Sequence, residues 1–208
     1  MVSVPRLLII GEYSYCHSTS HWLKQLESIV TVLHRYPMVT LQIRNKYHPE
    51  VWSVVRPHLE QWIYYHPTQC IINGSIFPHL SCGRHLPESQ IDTFHPDPRH
   101  LVGTSIHSLE ALNRATKIGS HYVQYGAIFP TSKPVTPVGV DALHAICRHS
   151  NLPVFAVGGI STIQHVKQCL SVGAYGISVG SWILQSNEPM VVIEQIVEEI
   201  AMFMSKSQ

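Results

Sequence analysis

The chain has 208 residues, with 14 Lys or Arg, 13 Asp or Glu and 15 His, so its formal net charge is +1. This length suits one domain, taken as residues 1–208, and a hydrophobic fraction of 45% excludes a wholly disordered chain. A nearly neutral chain lacks the Lys/Arg excess that nucleic-acid binding needs, and no run of about 18 apolar residues predicts a membrane span. We therefore expect a globular domain with neither a nucleic acid nor a membrane as its partner.

The beginning of the chain and its cysteines favour a reducing compartment. Residues 1–10 hold one Arg and a short apolar run, which is not the layout of a signal peptide. The five cysteines are scattered and form no Cys-x-x-Cys spacing. Reduced thiols and a cytoplasmic location are therefore expected. Only 13% of the residues are charged, which is compatible with a homo-oligomer.

Short apolar runs alternate along the chain with segments of helical periodicity. The predicted strands are, in chain order, 7–10, 39–43, 70–72, 79–82, 101–106, 122–125, 154–157 and 176–179. The predicted helices lie near 22–33, 51–62, 109–118, 140–146, 163–170 and 189–204. Pro49 is predicted in the first turn of the second helix. The fourth strand is the weakest, because it lies in a proline-rich stretch between Ile72 and Leu101.

This alternation predicts the fold class. Strands separated by helices pair in parallel through right-handed crossovers. Eight such units predict an α/β protein that is a single (β/α)8 TIM barrel with parallel strands. A doubly wound sheet is the alternative. It is disfavoured because the first strand is not followed by the Gly-x-Gly-x-x-Gly turn of a dinucleotide-binding fold.

Glycine-rich turns follow the last two predicted strands. Gly158 and Gly159 follow the seventh strand, and Val179, Gly180 and Ser181 end the eighth. In barrels, loops at these two positions often bind phosphate through main-chain N–H groups and a short helix. The alternative is that the glycines only form tight turns. Because both clusters occur, we predict a phosphate site here, with the Ser181 hydroxyl as a further donor.

The second strand predicts a cationic side of the barrel mouth. Alternation along a strand places Gln42, Arg44 and Lys46 on one side. They would offer an amide and two cations to an anionic group, although a solvated strand end would also explain Lys46. Asn73 ends the third strand and either binds a ligand or caps a turn. The loop after the sixth strand adds Thr131 and Lys133, and such loops also act as lids.

One histidine is singled out by its position. His107 follows the fifth strand, where an acid/base group would face a ligand. The alternative is that it opens the next helix, which Ser108 would cap. The spaced pairs His17/His21 and His95/His100 lack a third ligand. We therefore expect no zinc or other metal site from the histidines.

The chain as a whole resembles the thiamin phosphate synthase/TenI superfamily, from about Leu7 to the last helix. The resemblance rests on the order and spacing of six segments, namely 41–46, 71–74, 103–108, 125–133, 157–160 and 173–178. It implies a TIM barrel, a role in thiamin biosynthesis and thiazole phosphate as a small-molecule ligand. Residues at the mouth that would bind a diphosphate or carboxylate are, by this resemblance, Gln42, Arg44, Lys46, Asn73, Ser105, Thr131 and Lys133.

The metal ligands of the synthase branch are replaced in this chain. The synthase joins a pyrimidine diphosphate to thiazole phosphate, and Mg²⁺ neutralises the departing pyrophosphate. The resemblance places Asn73-Gly74 where that branch has Asn-Asp, and Leu86 near its second Asp. Neither glycine nor leucine offers the oxygen ligand that Mg²⁺ requires. Mg²⁺ is therefore expected only if the chain is a synthase, and otherwise no cofactor is expected.

The same segments are similar to the TenI branch, whose reaction is a metal-independent thiazole tautomerisation. There a proton moves within a carboxylated thiazole phosphate, and His107 matches the histidine that would both remove and return it. A histidine also occurs at this place in synthases, and the Gln42/Arg44/Lys46 set is synthase-like. We favour the tautomerase, with a thiamine-phosphate synthase as the first alternative. A non-catalytic barrel that binds a phosphate ligand and has a regulatory role is the second.

Overall fold

The computed structural model describes residues 3–74 and 76–206. Its strands are β1 Leu7–Glu12, β2 Val39–Arg44, β3 Cys70–Asn73, β4 Gly83–Leu86, β5 Val102–Ile106, β6 Tyr122–Tyr125, β7 Val154–Val157 and β8 Gly176–Val179. Its helices are α1 Thr19–Val30, α2 Val51–Tyr65, α3 Leu109–Lys117, α4 Gly139–His149, α5 Ile163–Ser171, α6 Ser181–Leu184 and α7 Pro189–Lys206.

The eight strands form a closed barrel in which every strand pairs in parallel with its neighbours in sequence. Closure is made by β1 against β8, where Leu8 lies opposite Ser178. This confirms the predicted (β/α)8 barrel and excludes the doubly wound sheet. In the described parts of the connections on either side of β4 there is no α-helix, and the second of them contains a 3-10 turn at Glu88–Gln90.

Two separate apolar layers hold the barrel together. The larger fills the space between the strands and the surrounding helices, and its members from the strands include Ile9, Leu41, Ile106 and Ile177. The smaller lies inside the barrel and consists of Leu8, Ile71, Leu101, Tyr122 and Phe155. Because side chains alternate along a strand, β1, β3, β6 and β7 contribute to both layers.

Hydroxyl caps start three of the helices at the mouth. Ser18, Ser108 and Thr162 are extended N-cap residues, and each accepts a hydrogen bond from the third residue beyond it. Such a cap satisfies one of the N–H groups that a helix start leaves free. At these three strand ends the local sequence therefore determines where the following helix begins.

The fourth strand and Pro49 were placed wrongly, while the other predicted elements differ from the observed bounds by at most three residues at an end. The fourth strand is Gly83–Leu86, not 79–82. The sequence of β4 gives no strand signal, because its inward positions are Gly83 and His85 and the apolar alternation typical of a strand is absent. Pro49 precedes α2 rather than lying in its first turn, and the main-chain N–H groups of the next turn bond to residues 48 and 49.

Arg84 orders the proline-rich stretch before β4. Its side chain is buried, and its guanidinium donates to the carbonyl oxygens of Phe77 at 2.8 Å and Leu80 at 3.0 Å. Phe77 has φ +51°, an unusual value for a residue with a side chain, and its ring packs edge-on against Trp52. The Arg84 side chain therefore ties the loop before β4 to the strand.

Within residues 3–74 and 76–206, no helix is both long and apolar enough to span a membrane.

Candidate active site

The mouth of the barrel, at the carboxyl ends of the strands, is lined by polar side chains. Five of the buried polar residues project into the barrel or its mouth from different strands: Glu12, Gln42, His85, Gln124 and Ser178. Burying polar groups is costly unless they are paired. Four of the five, Glu12, Gln42, His85 and Gln124, have partners on other strands, and these pairs show how this end of the barrel is organised. The Ser178 hydroxyl has no hydrogen-bond partner among the described residues.

Gln42 forms a bridge across the barrel. Its Nε2 donates to Asn73 Oδ1 at 2.8 Å, and its Oε1 accepts from Gln124 Nε2 at 2.7 Å. Gln42 and Gln124 are almost fully buried. The predicted ligand contacts Gln42 and Asn73 are thus brought together by β2 and β3, but both sides of the Gln42 amide are already engaged. Gln42 therefore positions Asn73.

Arg44 makes an ion pair with Glu12 across the neighbouring strands β1 and β2. The Glu12 side chain is 2% exposed and the Arg44 side chain 23% exposed. Burial lowers the pKa of Arg44 from its usual value. Glu12 also accepts a hydrogen bond from the Ser14 N–H at 3.4 Å. A carboxylate that the sequence analysis overlooked thus holds the predicted cation and offsets part of its charge.

Lys46 and Lys133 lie close to Arg44. Partial burial, then the positive charge of Arg44, lower the pKa of Lys133, and Lys46 adds to this effect. Tyr47 lies among the same cations, since its hydrogen bond to Lys46 lowers its pKa most and Lys133 and Arg44 lower it further. The structure thus brings together the cations predicted from β2 and from the loop after β6. Their mutual repulsion favours an anion between them.

Ser105 points toward a fully buried histidine. His85 Nε2 lies 2.9 Å from Ser105 Oγ, and His85 Nδ1 lies 3.0 Å from the Tyr122 hydroxyl. Burial, and to a smaller extent the charge of Arg44, lower the pKa of His85 to about 3. His85 is therefore neutral near pH 7. Neither His85 nor Tyr122 was predicted as a site residue.

His107 lies at the mouth, one residue beyond the end of β5 and directly before the N-cap Ser108. Its side chain is exposed, and its main-chain N–H donates to Glu88 Oε2 at 3.0 Å. Glu88 is held in turn by Arg114 of α3 at 3.0 Å. His107 thus lies both at the mouth and directly before a capped helix, as the two interpretations of the sequence each required. Its acid/base role stays a prediction.

The glycines after β7 have a packing role. Gly158 and Gly159 have φ values of +92° and +71°. A Cβ atom on Gly158 would lie 2.6 Å from the Cα of Ala127, and one on Gly159 would overlap the carbonyl oxygen of Phe129. The loop after β6 therefore lies directly on this turn. Glycine is required here by the tight turn, so a substitution would not by itself test phosphate binding.

The turns after β7 and β8 follow two paired strands. Val179 is buried with its side chain toward the helices, so only its main chain can face a ligand. A Cβ atom on Gly180 would lie 2.8 Å from the Tyr15 ring. Ser181 is exposed and begins α6. Among the described residues, none hydrogen-bonds the Ser181 hydroxyl, and phosphate binding at this corner stays a prediction.

Thr131 stabilises its own loop. Its hydroxyl donates to the Lys133 carbonyl oxygen at 3.3 Å and accepts from the Lys133 N–H at 3.1 Å. Thr131 therefore shapes the loop that presents Lys133 to the mouth, a common use of threonine in turns. These two hydrogen bonds already account for a threonine at residue 131, and its contact with a ligand stays a prediction.

The residues present do not fit a magnesium site. Gly74 has no side chain, and Leu86 is fully buried and apolar. The Asn73 amide oxygen accepts from Gln42, and the Glu12 carboxylate is paired with Arg44. No group of three or more His, Cys, Asp or Glu side chains in residues 3–74 and 76–206 is arranged to hold a metal ion. The hard oxygen ligands that Mg²⁺ requires are thus replaced or engaged.

The closed parallel barrel and its cation-lined mouth define the class of protein, a (β/α)8 barrel whose polar residues gather at the carboxyl ends of the strands. The sequence profile of one family within this class, described as thiamine monophosphate synthase, matches residues 15–183. The chain belongs to this family.

Curated relatives match about half of the chain. A putative thiamine-phosphate synthase 2 of Aquifex aeolicus is 38% identical over 111 residues, which are 50% of this chain and 58% of that protein. A thiamine-phosphate synthase of Pyrococcus abyssi is 34% identical over 108 residues, 50% of this chain and 52% of that protein. The chain thus spans little more than half the length of these relatives.

Solved structures share the fold over almost the whole chain. A thiamine phosphate pyrophosphorylase from Pyrococcus furiosus superposes with a TM-score of 0.69 at 21% identity, covering 95% of this chain and 96% of that one. A 3-hexulose-6-phosphate synthase superposes with a TM-score of 0.66 at 14% identity, covering 94% and 99%. At such identities the likeness shows the fold alone.

Proposed function

We propose that this protein is a thiamine-phosphate synthase that joins a pyrimidine diphosphate to thiazole phosphate and releases pyrophosphate. The observation that carries the proposal is the position of Arg44 at the carboxyl end of β2, with Lys46 two residues beyond it and Lys133 close enough that both cations lower its pKa. The tautomerase substrate carries one phosphate and one carboxylate, whereas the two synthase substrates together carry a diphosphate and a phosphate, and this cation set suits the larger charge. The curated relatives, which are named as synthases, favour the same assignment over the tautomerase.

In the proposed reaction the three cations at the mouth stabilise negative charge. In the transfer, the bond from the pyrimidine to the diphosphate breaks, and the departing pyrophosphate keeps the electron pair. A new bond forms between the pyrimidine and the thiazole. Arg44, Lys46 and Lys133 would stabilise the charge that develops on pyrophosphate, while the turns after β7 and β8 would anchor the thiazole phosphate. No step is assigned to Mg²⁺, because the described residues do not form a site for it.

The test replaces Lys133 with alanine and measures pyrophosphate release from the two substrates. Since a charge-assisted contact contributes about 1.5–3 kcal/mol, we expect kcat/KM to fall by about tenfold or more. Lys117→Ala is the matched control, because it removes the same charge from an exposed position at the end of α3. Equal rates in the two variants, or no pyrophosphate release by the native protein, would contradict the proposal.

The second candidate is the metal-independent thiazole tautomerase with His107 as acid and base. It is favoured by one observation, the replacement of the carboxylate metal ligands by Gly74 and the buried Leu86. Conversion of the carboxylated thiazole phosphate that persists with a chelator and is lost in His107→Ala would establish it. Ligand binding without either reaction would instead identify a non-catalytic binding barrel.

A further inference from the structure

Three residues from adjacent strands form a hydrogen-bonded chain that the proposed transfer does not explain. It runs from the Tyr122 hydroxyl on β6 to His85 on β4 and then to Ser105 on β5, with heavy-atom distances of 3.0 and 2.9 Å. Tyr122 and His85 are 0% and 1% exposed, whereas Ser105 is partly exposed. This series of hydrogen bonds therefore begins in the closed interior and ends where a ligand could reach it.

A glycine on β5 makes the hydrogen bond between Tyr122 and His85 possible. In the sheet register, Gly103 of β5 lies between His85 and Tyr122 and is paired with both. A Cβ atom on Gly103 would overlap the Tyr122 ring. The phenol ring therefore crosses over β5 at the one residue that has no side chain, and in this way it reaches the imidazole on β4.

The direction of the hydrogen bonds follows from the donors available. A neutral imidazole has one N–H donor and one acceptor nitrogen. Within the described residues, His85 Nδ1 is the hydrogen-bond partner of the Tyr122 hydroxyl. A buried O–H that found no acceptor would be costly. Tyr122 therefore donates to Nδ1, which leaves the proton of His85 on Nε2.

The position of the proton on His85 determines the hydrogen-bonding role of Ser105. An Nε2–H group facing Ser105 Oγ makes the serine the acceptor of that bond. The proton of the Ser105 hydroxyl is then free to be donated to another group. Burial keeps His85 neutral, with a pKa of about 3, so this polarity does not reverse near pH 7.

We propose that His85 is a positioning residue that commits the Ser105 hydroxyl to donate to an acceptor atom of the bound substrate. The substrate class is thereby narrowed to ligands that present an unprotonated oxygen or nitrogen at this position. A ligand that presents an N–H or O–H there would face a donor and bind less well. The ligand part of this inference rests on the proposed function, in which the mouth is the substrate site.

The first test measures the tautomer in the ligand-free protein. Nitrogen-15 NMR of labelled histidine, with His85→Gln to assign the signal, should show a proton on Nε2 alone. The signal should not change between about pH 5 and about pH 8, the range in which ordinary histidines titrate. A proton on Nδ1, or a titrating His85, would overturn the inference.

The second test compares two replacements of His85. The amide nitrogen of glutamine can take the place of Nε2 and still donate to Ser105, whereas that of asparagine lies near the place of Nδ1. We expect affinity for thiazole phosphate or for the pyrimidine diphosphate to fall by about tenfold in His85→Asn, and by at most about threefold in His85→Gln. Equal losses would reduce His85 to a purely structural role.

The third test combines Ser105→Ala with His85→Asn in a double-mutant cycle. The loss of affinity in Ser105→Ala should match that of His85→Asn, and the double variant should lose no more than either one. Unchanged affinity in Ser105→Ala would overturn the inference. If the native protein binds neither substrate, the proposed function fails together with the ligand part, while the tautomer measured without ligand still stands or falls by itself.

Discussion

The two ends of the barrel interior differ in what they contribute. At the amino-terminal end, the interior layer of Leu8, Ile71, Leu101, Tyr122 and Phe155 is entirely apolar apart from one phenol hydroxyl. At the mouth, the strands of the barrel place amides, an imidazole and an ion pair. Tyr122 joins the two regions, since its ring packs 5.1 Å from that of Phe155 and its hydroxyl reaches His85.

This difference shows how one set of strands serves both stability and chemistry. The apolar end gains from burial and does not depend on pH. The polar end depends on the pairing of Glu12, Gln42, His85 and Gln124 with partners on other strands. Changes at the closed end should therefore alter stability alone, whereas changes at the mouth should also alter ligand binding or the response to pH.

The largest effect is expected from Phe155→Ala. Truncation of a fully buried phenylalanine leaves a cavity, and the free energy of unfolding should fall by about 3–5 kcal/mol in urea denaturation. Phe155→Leu is the graded control and should lose less. Affinity for thiazole phosphate, measured on folded protein, should not change. A loss below about 1 kcal/mol would show that the closed end is not the stabilising region.

A somewhat smaller effect is expected from Arg44→Met. It leaves the buried Glu12 carboxylate without its partner and should destabilise the protein by about 2–3 kcal/mol, less than for a fully buried pair because Arg44 is 23% exposed. Arg44→Met combined with Glu12→Gln should recover part of that loss, because no unpaired charge then remains. If the double variant is less stable than Arg44→Met, the pair is not the cause.

The pH dependence of stability distinguishes the two ends more finely. The pKa of His85 is lowered from 6.5 to about 3 by folding, so between these values the unfolded chain binds a proton that the folded chain does not. Stability should therefore fall with falling pH in this window, by up to about 1.4 kcal/mol per pH unit from His85. His85→Gln should flatten the urea-denaturation profile between about pH 5 and about pH 6.5, whereas Phe155→Leu should shift it without changing its slope.

The smallest effect is expected from Ser181→Ala. Loss of one neutral hydrogen bond to a phosphate ligand contributes about 0.5–1.5 kcal/mol, so affinity for thiazole phosphate should fall by about three- to tenfold in calorimetry. Stability should not change, since Ser181 is exposed at the start of α6. Ser171→Ala, at the exposed end of α5, is the matched control. Equal affinities in both variants would count against a phosphate site at this corner.

Most of the barrel was predictable because its signals are local. Seven of the strands have apolar runs at the predicted places, and three helix starts have hydroxyl caps. β4 was missed because Gly83, Arg84 and His85 look like a loop in sequence. Its strand character depends on pairing with β3 and β5 and on the contacts of Arg84, none of which is local.

The candidate site was predictable in part. Gln42, Arg44 and Lys133 could be located from strand ends and from the family resemblance. Glu12, Gln124 and His85 could not, because each lies in a run of ordinary strand or loop sequence and gains its role from a partner on another strand. A polar residue at an inward position of an apolar strand was the one available signal, and Gln124 between Val123 and Tyr125 shows it.

The sequence by itself determined the alternation of strands and helices, the helix caps and the glycines of the tight turns, since these depend on a residue and its near neighbours. Only the tertiary structure decided which polar groups are paired: Glu12 with Arg44, Gln42 with Gln124, and Ser105 with His85. The physical reason is that barrel closure brings distant strand ends together and removes water. Within that enclosed space, the energy and the direction of each hydrogen bond depend on the partner that faces it.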